Sequence, residues 1–264
     1  DGTTCTAVGF EALKVATGND NTAFGYQAGV AVSTGVDNCL IGNVAGDAVT
    51  TGSDNTFVGD NAGGATTTAD NNTAVGSQAL VLNSTGANNV ALGAYALDAN
   101  STGGANTALG RSALGANTTA SNNVGVGYFA LATNTTGGTN TACGFQALED
   151  NTTASNNTAV GYQALNINTT GAGNTALGRA ALLANTTAAN NVAVGYLALT
   201  ANTTGTDNVA VGYQAGKAVT TGINNTFVGD DAGLTATTSS QNTAVGADAL
   251  KQTSTGANNT AVGK

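Results

Sequence analysis

The chain has 264 residues, of which 38 are glycine and only 8% are charged, and it contains no proline, methionine, tryptophan or histidine. An average domain carries about 25% charged residues, so this composition is typical of a repetitive fibrous protein. The net charge is −9 with six basic residues and no basic cluster, which argues against nucleic acid as a partner. No apolar run approaches the roughly 18 residues of a membrane helix, so we expect no membrane insertion by this segment.

A repeat of 17 residues runs through the whole sequence. A glycine closes the motif NTAVG, or a close variant, sixteen times from Gly9 to Gly263, and after one spacing of 16 residues every spacing is 17. The consensus is N, T/V, A, V/L, G, Y, Q, A, L, x, x, N, T, T, G, x, N/D, and we number its positions one to seventeen. At about 3.3 Å per residue, 17 residues hold two short strands and two corners, which is one rung of a β-solenoid.

The sequence therefore predicts an all-β fold, a parallel β-solenoid or β-roll of sixteen 17-residue rungs. We expect residues 1–264 to be a single continuous array and part of a longer fibre protein. In chain order, positions one to five form a strand, because Thr73 and Val75 alternate with Asn72, Ala74 and Gly76. A first corner is predicted at TTGxN/D, which is rich in turn residues, and a second near positions five to seven.

The two faces of the predicted strand differ in composition. Positions two and four carry mostly Thr, Val and Leu and are interpreted as a buried face, whereas positions three, five and eight are almost entirely Ala and Gly. A thin 17-residue coil has too little interior to bury both faces by itself. We therefore predict that the small residues permit close approach of another copy, and that the protein is a homotrimer around a common axis.

Asparagine occupies position one in fifteen of sixteen repeats, with Cys5 as the exception. Identical amides stacked once per rung can each donate to one neighbour and accept from the next. The sequence therefore predicts a structural Asn ladder, and a second one at position twelve from Asn83 to Asn202. The members of the first ladder are Asn21, Asn38, Asn55, Asn72, Asn89, Asn106, Asn123, Asn140, Asn157, Asn174, Asn191, Asn208, Asn225, Asn242 and Asn259.

Side-chain volume is conserved among the repeats. Position nine is Leu wherever position twelve is Asn, but in five repeats it is Gly and position twelve is Val, Thr or Ala. Three of these five repeats enlarge position three to Leu40, Phe57 and Phe227. Compensating changes of this kind are expected of a packed interior.

The motif NTAVGYQAL, separated by TTGxxN, resembles the head repeats of trimeric autotransporter adhesins. It resembles still more the TTGxNTAVGYxAL repeats of phage tail-fibre proteins and large bacterial surface proteins, and the resemblance covers all sixteen repeats. It implies left-handed winding, homotrimerisation and a stalk or adhesin role.

The residue types give no support to catalysis or to a cofactor. Without histidine the Ser-His-Asp and Cys-His arrangements are impossible, so we expect no catalytic residues, no cofactor and no metal site. Asp60, Asp230 and Asp231 are interpreted as solvated carboxylates at turns. The cysteines, Cys5, Cys39 and Cys143, lie in separate rungs that are too far apart for a disulfide, and Cys143 replaces a valine of the expected buried face.

Aromatic residues recur at position six and form a possible glycan-binding strip, although Arg111, Arg179 and Asp230 interrupt it. A shielding role at the corner is the preferred interpretation. Ice binding by Thr at positions thirteen and fourteen is not expected, because adjacent residues of a strand point to opposite faces. The candidate glycan-contact residues are Tyr26, Tyr128, Phe145, Tyr162, Tyr196 and Tyr213.

These patterns favour a non-enzymatic structural protein, an extracellular fibre shaft or adhesin-like filament at a cell or virion surface that projects a binding tip. The expected partners are further copies of the same chain. The alternative is a phage tail-fibre surface that itself recognises cell-surface glycans.

Overall fold

The structure is a computed structural model that describes residues 4–264. Two compact units make it up, Asp1–Thr136, described from Thr4, and Gly137–Lys264. Within the described residues all regular structure is β-strand. In this part of the chain no helix has the length and apolar character needed to cross a membrane.

The first unit is a parallel β-solenoid with one three-residue strand per rung. Each strand pairs in parallel with the next, and equivalent positions lie side by side, as in Ala74 beside Ala91 and Val75 beside Leu92. The strands are β1 (Thr6–Val8), β2 (Thr22–Phe24), β3 (Cys39–Ile41), β4 (Thr56–Val58), β5 (Thr73–Val75), β6 (Val90–Leu92), β7 (Thr107–Leu109) and β8 (Val124–Val126).

The second unit has the same construction and register, with Ala159 beside Ala176 and Val160 beside Leu177. The predicted fold class, a parallel β-solenoid with a 17-residue period, is therefore confirmed in both units. The strands are β9 (Thr141–Cys143), β10 (Thr158–Val160), β11 (Thr175–Leu177), β12 (Val192–Val194), β13 (Val209–Val211), β14 (Thr226–Val228), β15 (Thr243–Val245) and β16 (Thr260–Val262).

The backbone turns at positions that carry positive φ angles. The motif glycine at position five has φ near the value of Gly161, +133°, and a Cβ there would lie 2.7 Å from the carbonyl carbon of Gly178 in the next rung. Positions seven, nine and seventeen are left-handed, as at Gln163, Leu165 and Asn156. The second corner thus begins at position five, as predicted, and extends through position nine.

The interior is lined by positions one, three, eight, nine, twelve and fifteen. Asn157, Ala159 and Leu165 are fully buried, whereas Leu177 at position four is 46% exposed. The prediction that positions two and four form a buried face is therefore wrong, because in each unit they point outward. Ala and Gly predominate at positions three and eight because these residues fill the narrow interior of their own rung.

The small residues therefore give no support to close approach of another chain. Ala at positions three and eight packs inside its own unit, and Gly at position five packs against the glycine of the next rung. A homotrimer therefore does not follow from these columns, since the single chain already accounts for their small size.

The predicted volume compensation is confirmed and extends across rungs. A Cβ on Gly63 would lie 2.5 Å from the Phe57 ring of its own rung. Gly216, whose own rung has Ala at position three, would place a Cβ 2.9 Å from the ring of Phe227 in the following rung. One large side chain at position three thus occupies the space left by glycine at position nine in two rungs.

We expect Phe57→Ala and Gly63→Leu each to lower the thermal unfolding midpoint, and the double variant to recover most of the loss. Phe57→Ala leaves a cavity that costs about 3–5 kcal/mol, while Gly63→Leu alone collides with the intact ring. The double variant has Ala at position three and Leu at position nine, which is the pair found in the rungs of the Leu type. Differential scanning calorimetry of the four proteins measures this coupling, and additive losses in the double variant would contradict it.

Candidate functional site

The described residues contain no pocket and no cluster of three or more residues of the types His, Cys, Asp and Glu. The features that can carry a function are therefore the side-chain columns, in which equivalent positions of successive rungs lie next to one another. Four such features differ from an ordinary protein surface or interior. They are the Asn ladder at position one, the Asn ladder at position twelve, the aromatic column at position six, and the pair of columns formed by the outward residues of the strands.

The position-one ladder connects each rung both to itself and to the next. The Asn208 amide nitrogen donates to the Gly222 carbonyl at position fifteen of the same rung, at 2.8 Å. Its Oδ1 accepts from the backbone N–H and from the side-chain amide of Asn225 in the following rung, both at 3.0 Å. The predicted ladder residues from Asn21 to Asn242 are at most 1% exposed, and Asn259 is half-buried.

The amides of the position-twelve ladder donate to the same carbonyl group as those of the first ladder, the one at position fifteen. Asn100 Nδ2 donates to Asn83 Oδ1 in the preceding rung and to the Gly103 carbonyl in its own rung, both at 2.9 Å. Asn89, at position one of that rung, also donates to Gly103, at 2.9 Å. The carbonyl at position fifteen therefore receives two amide donors and closes the rung. At Cys5, where position one is not Asn, the thiol donates to the equivalent carbonyl of Gly18.

The second ladder has a defined end. Asn202 Oδ1 is buried and has no hydrogen-bond donor, because the next rung carries Val219 at position twelve. In the first unit, the column begins at Asn83, whose Nδ2 donates to the Gly86 carbonyl at 2.9 Å and reaches the Thr66 hydroxyl of the preceding rung at 3.5 Å. The number of consecutive Leu-Asn rungs therefore sets the length of this network.

The position-twelve ladder also buries the asparagines of its own glycosylation sequons, whereas the sequon asparagines at position seventeen, such as Asn156, are exposed. Asn117, which precedes Thr118 and Thr119, is fully buried, and its amide nitrogen donates to Asn100 and Ala120. A folded chain does not present this amide to a glycosyltransferase.

The aromatic column of the second unit is a continuous stack. The rings of Phe145 and Tyr162 lie 5.3 Å apart at 7°, and those of Tyr196 and Tyr213 lie 5.4 Å apart at 14°. The Arg179 guanidinium lies between the two pairs, 5.7 Å from the Tyr162 ring and 5.4 Å from the Tyr196 ring. Arg179 therefore continues the aromatic column. The sequence-based expectation that Arg179 interrupts it is wrong.

A similar arrangement occurs in the first unit. Phe10 and Tyr26 stack at 5.5 Å, and Arg111 lies 5.9 Å from the ring of Tyr95 and 5.9 Å from that of Tyr128. Cation–π contacts and ring stacking occupy the faces between neighbours, which leaves the ring edges for solvent. The hydroxyls of Tyr128 and Tyr196 accept hydrogen bonds from Arg111 and Arg179, at 3.3 and 3.1 Å. The sequence does contain a signal for the contacts of Arg111 and Arg179, because each lies 17 residues before a tyrosine.

The outward residues of the strands form an uncharged surface in each unit, with mostly Thr at position two and apolar side chains at position four. We call positions two and four of β1–β8, and of β9–β16, the outer sheet face of the respective unit. Every residue there is Thr, Val, Cys, Phe, Ile or Leu, and none is charged. Phe24 is 57% exposed and Leu92 39% exposed. Cys39 and Cys143 belong to this surface, so Cys143 is exposed and does not replace a core valine.

The two threonine columns at the first corner have different environments. At position thirteen the hydroxyl donates to the neighbouring rung, as Thr169 does to the Thr186 carbonyl at 3.0 Å. At position fourteen the side chain is exposed, as at Thr170. The two columns therefore do not present a common array of free hydroxyl groups.

Charged groups form only local contacts. Lys251 binds Asp231 and Asp248, each at 2.8 Å, and these hydrogen bonds raise the pKa of the lysine. Asp60 accepts a hydrogen bond from Asn43 at 2.8 Å, at an exposed turn. Burial raises the pKa of Asp98. The Asp231 side chain is only 20% exposed, so its interpretation as a solvated carboxylate is wrong. The described carboxylates form no cluster of three or more.

We expect Asn208→Asp to destabilise the second unit by about 3–5 kcal/mol at neutral pH, because it leaves an uncompensated buried charge. The new carboxyl oxygen faces the Gly222 carbonyl, so its pKa in the folded state lies above the unfolded value of about 3.9. The loss relative to wild type is therefore largest above the folded-state pKa and shrinks as pH falls through it.

Asn224→Asp is the matched control, since position seventeen is exposed and is Asp in four other rungs. Urea unfolding of both variants and the wild type at pH 4 and pH 7 measures the difference. Equal effects of the two substitutions would show that the ladder amide is dispensable.

The chain was compared with known proteins at three levels. No protein-family model matches it, and no curated protein and no solved structure matches it significantly.

Proposed function

We propose that the chain is a non-enzymatic structural segment of an extracellular fibre, at the surface of a cell or a virion, which holds a binding tip away from that surface. The observation that carries the proposal is the pair of Asn ladders, which connect rung to rung at buried positions in both units. Such a construction serves length and stiffness and leaves no concave site in the described residues.

The ladders explain why the segment suits a mechanical role. Each rung contacts only its neighbours, and every rung contributes the same backbone and amide hydrogen bonds. Buried amide networks are strengthened by the low local dielectric, and a local opening must break them together with the backbone ladder. Resistance to bending and to proteases follows from this density of hydrogen bonds.

Homotrimerisation and left-handed winding belong to the same proposal. Their support is the resemblance of the repeat motif to the adhesin heads and tail-fibre repeats, together with the uncharged outer sheet face and its exposed apolar side chains at position four. Self-association would remove this face from water. The extracellular setting rests on the same resemblance.

We expect the purified chain to sediment at three times its monomer mass of 25.3 kDa and to form thin rods in negative-stain electron micrographs. Sedimentation equilibrium measures the mass, and limited proteolysis with an enzyme that cuts after aromatic residues tests the rigidity. We expect the rods to survive conditions under which an unfolded control is digested. A globular particle, or rapid internal cleavage, would contradict the shaft function.

Glycan recognition by position six is the alternative function. Its support is limited to the exposed edges of the rings, such as those of Tyr162 and Tyr213, which are 46% and 52% exposed, since the ring faces between neighbours are occupied by stacking. We expect no binding of this segment on a glycan array. Binding that is lost in Tyr196→Ala but kept in Ile167→Ala would favour the alternative.

A further inference from the structure

The two arginines of the chain have no carboxylate partner within the described residues. The ion pairs there join lysines to carboxylates, and neither Arg111 nor Arg179 takes part in one. Arg179 is exposed, and it is the only charged residue between Asp150 and Asp207. In a chain with fifteen acidic residues and six basic ones, its positive charge is thus left unpaired.

The guanidinium group of Arg179 is held in one orientation. The rings of Tyr162 and Tyr196 lie on its two faces, and Nη1 donates to the Tyr196 hydroxyl at 3.1 Å. Nε and Nη2, which together form the side-on fork of a guanidinium group, make no hydrogen bond within the described residues. Because a planar group fixed in this way has little freedom left to lose, its unused donors are pre-organised for a ligand.

The groups around Arg179 suit a negative ligand. A guanidinium group has five N–H donors and no acceptor. The Tyr162 hydroxyl has no partner among the described residues, and the Tyr196 hydroxyl, which accepts from Arg179, keeps its own proton to donate. The edges of aromatic rings carry partial positive charge, and stacking leaves these edges for solvent. The site therefore offers positive charge and hydrogen-bond donors from every side.

From this arrangement we infer that Arg179 is a binding site for the carboxylate group of an acidic ligand. A carboxylate accepts two parallel N–H bonds in the plane of the guanidinium group, which matches the unused fork of Nε and Nη2. The two tyrosine rings cover the faces of the group and direct the ligand to its edge. This site lies on the side of the proposed shaft and depends neither on the shaft function nor on self-association.

The first unit contains a second site of the same construction. Arg111 lies 5.9 Å from the ring of Tyr95 and 5.9 Å from that of Tyr128, and its Nη1 donates to the Tyr128 hydroxyl at 3.3 Å. It is the only charged residue between Asp98 and Glu149. Both arginines of the chain thus share the stacking, the tyrosine hydroxyl and the lack of a carboxylate, which supports a common role.

Nitrogen NMR observes both sites directly, because a chain with two arginines has only two Nε–H signals. In a chain with isotope-labelled arginine, Arg179→Lys and Arg111→Lys each remove one signal and so assign the other. Sodium acetate is titrated against sodium chloride at constant ionic strength and at about pH 6, where acetate is ionised. N-acetyl-arginine amide is the reference for a guanidinium group without stacked rings. We expect a saturating shift of the Arg179 signal, with a dissociation constant at least about tenfold below that of the reference.

Tyr162→Leu tests whether the stacked ring positions the guanidinium group. We expect it to raise the dissociation constant for acetate about two- to fivefold, because it removes one cation–π contact. Tyr213→Leu is the matched control, since it removes a ring that stacks on Tyr196 but does not contact Arg179, and it should leave the constant unchanged. Circular dichroism verifies that both variants keep the β-solenoid signal. Equal effects of the two substitutions would contradict the positioning role of the ring.

Two results would overturn the carboxylate site. A shift that does not saturate, or a dissociation constant equal to that of the reference, would identify Arg179 as an ordinary exposed cation. Inorganic phosphate is the second titrant, and tighter binding of phosphate than of acetate would assign the site to a phosphate group instead. Neither result bears on the fibre function, which is tested by mass and shape.

Discussion

The hydrogen bond from one asparagine to the next is the interaction on which the rest of the structure depends. Backbone hydrogen bonds join each rung to its neighbours inside and outside its three-residue strand, as from the Leu165 N–H to the Ala181 carbonyl at 2.9 Å, but they do not join the two ends of one rung to each other. The position-one amide supplies this connection by joining the carbonyl at position fifteen of its own rung to the backbone of the following rung. Buried polar groups are favourable only when they are fully paired, and here almost every one has its partner.

This constraint determines what else can occupy the interior. Both ladders and the carbonyl they share take up one side, which leaves a narrow apolar region for positions three, eight and nine. Leu165 with Ala159 fills it in one way, and Phe57 with Gly63 fills it in another. A change in one of these positions therefore requires a change in its neighbour, which is the pattern that the sequence displays.

Much of the fold could be predicted from the repeat. The period of 17, the strand at each NTAVG motif, the Asn ladders and the compensation between positions three and nine all follow from regular spacing and side-chain volume. The inward and outward faces were assigned in reverse, because a period of two shows which residues share a face and not which face is inside. The compensation contained the missing signal, since Phe57 can offset Gly63 only if position three points inward.

The surface columns could be predicted less well. Arg179 was expected to break the aromatic column, but a planar guanidinium fits between two rings at the spacing of the rungs. Composition alone does not show this, because the contact depends on the register of residues 17 apart. The outward position of Cys39 and Cys143 could not be predicted either, because the alternation of residues does not show which face of the strand points outward.

The direction of the position-twelve amides has a consequence for the electrostatics of the solenoid. Each Asn in this column donates to the rung before it and accepts from the rung after it, as Asn100 does. Because the amide dipoles of successive rungs in a unit point the same way, they add along the column. The column of each unit is thus electrically polar, the unpaired Oδ1 of Asn202 lies at the negative end of the column in the second unit, and each added rung of this type lengthens the dipole.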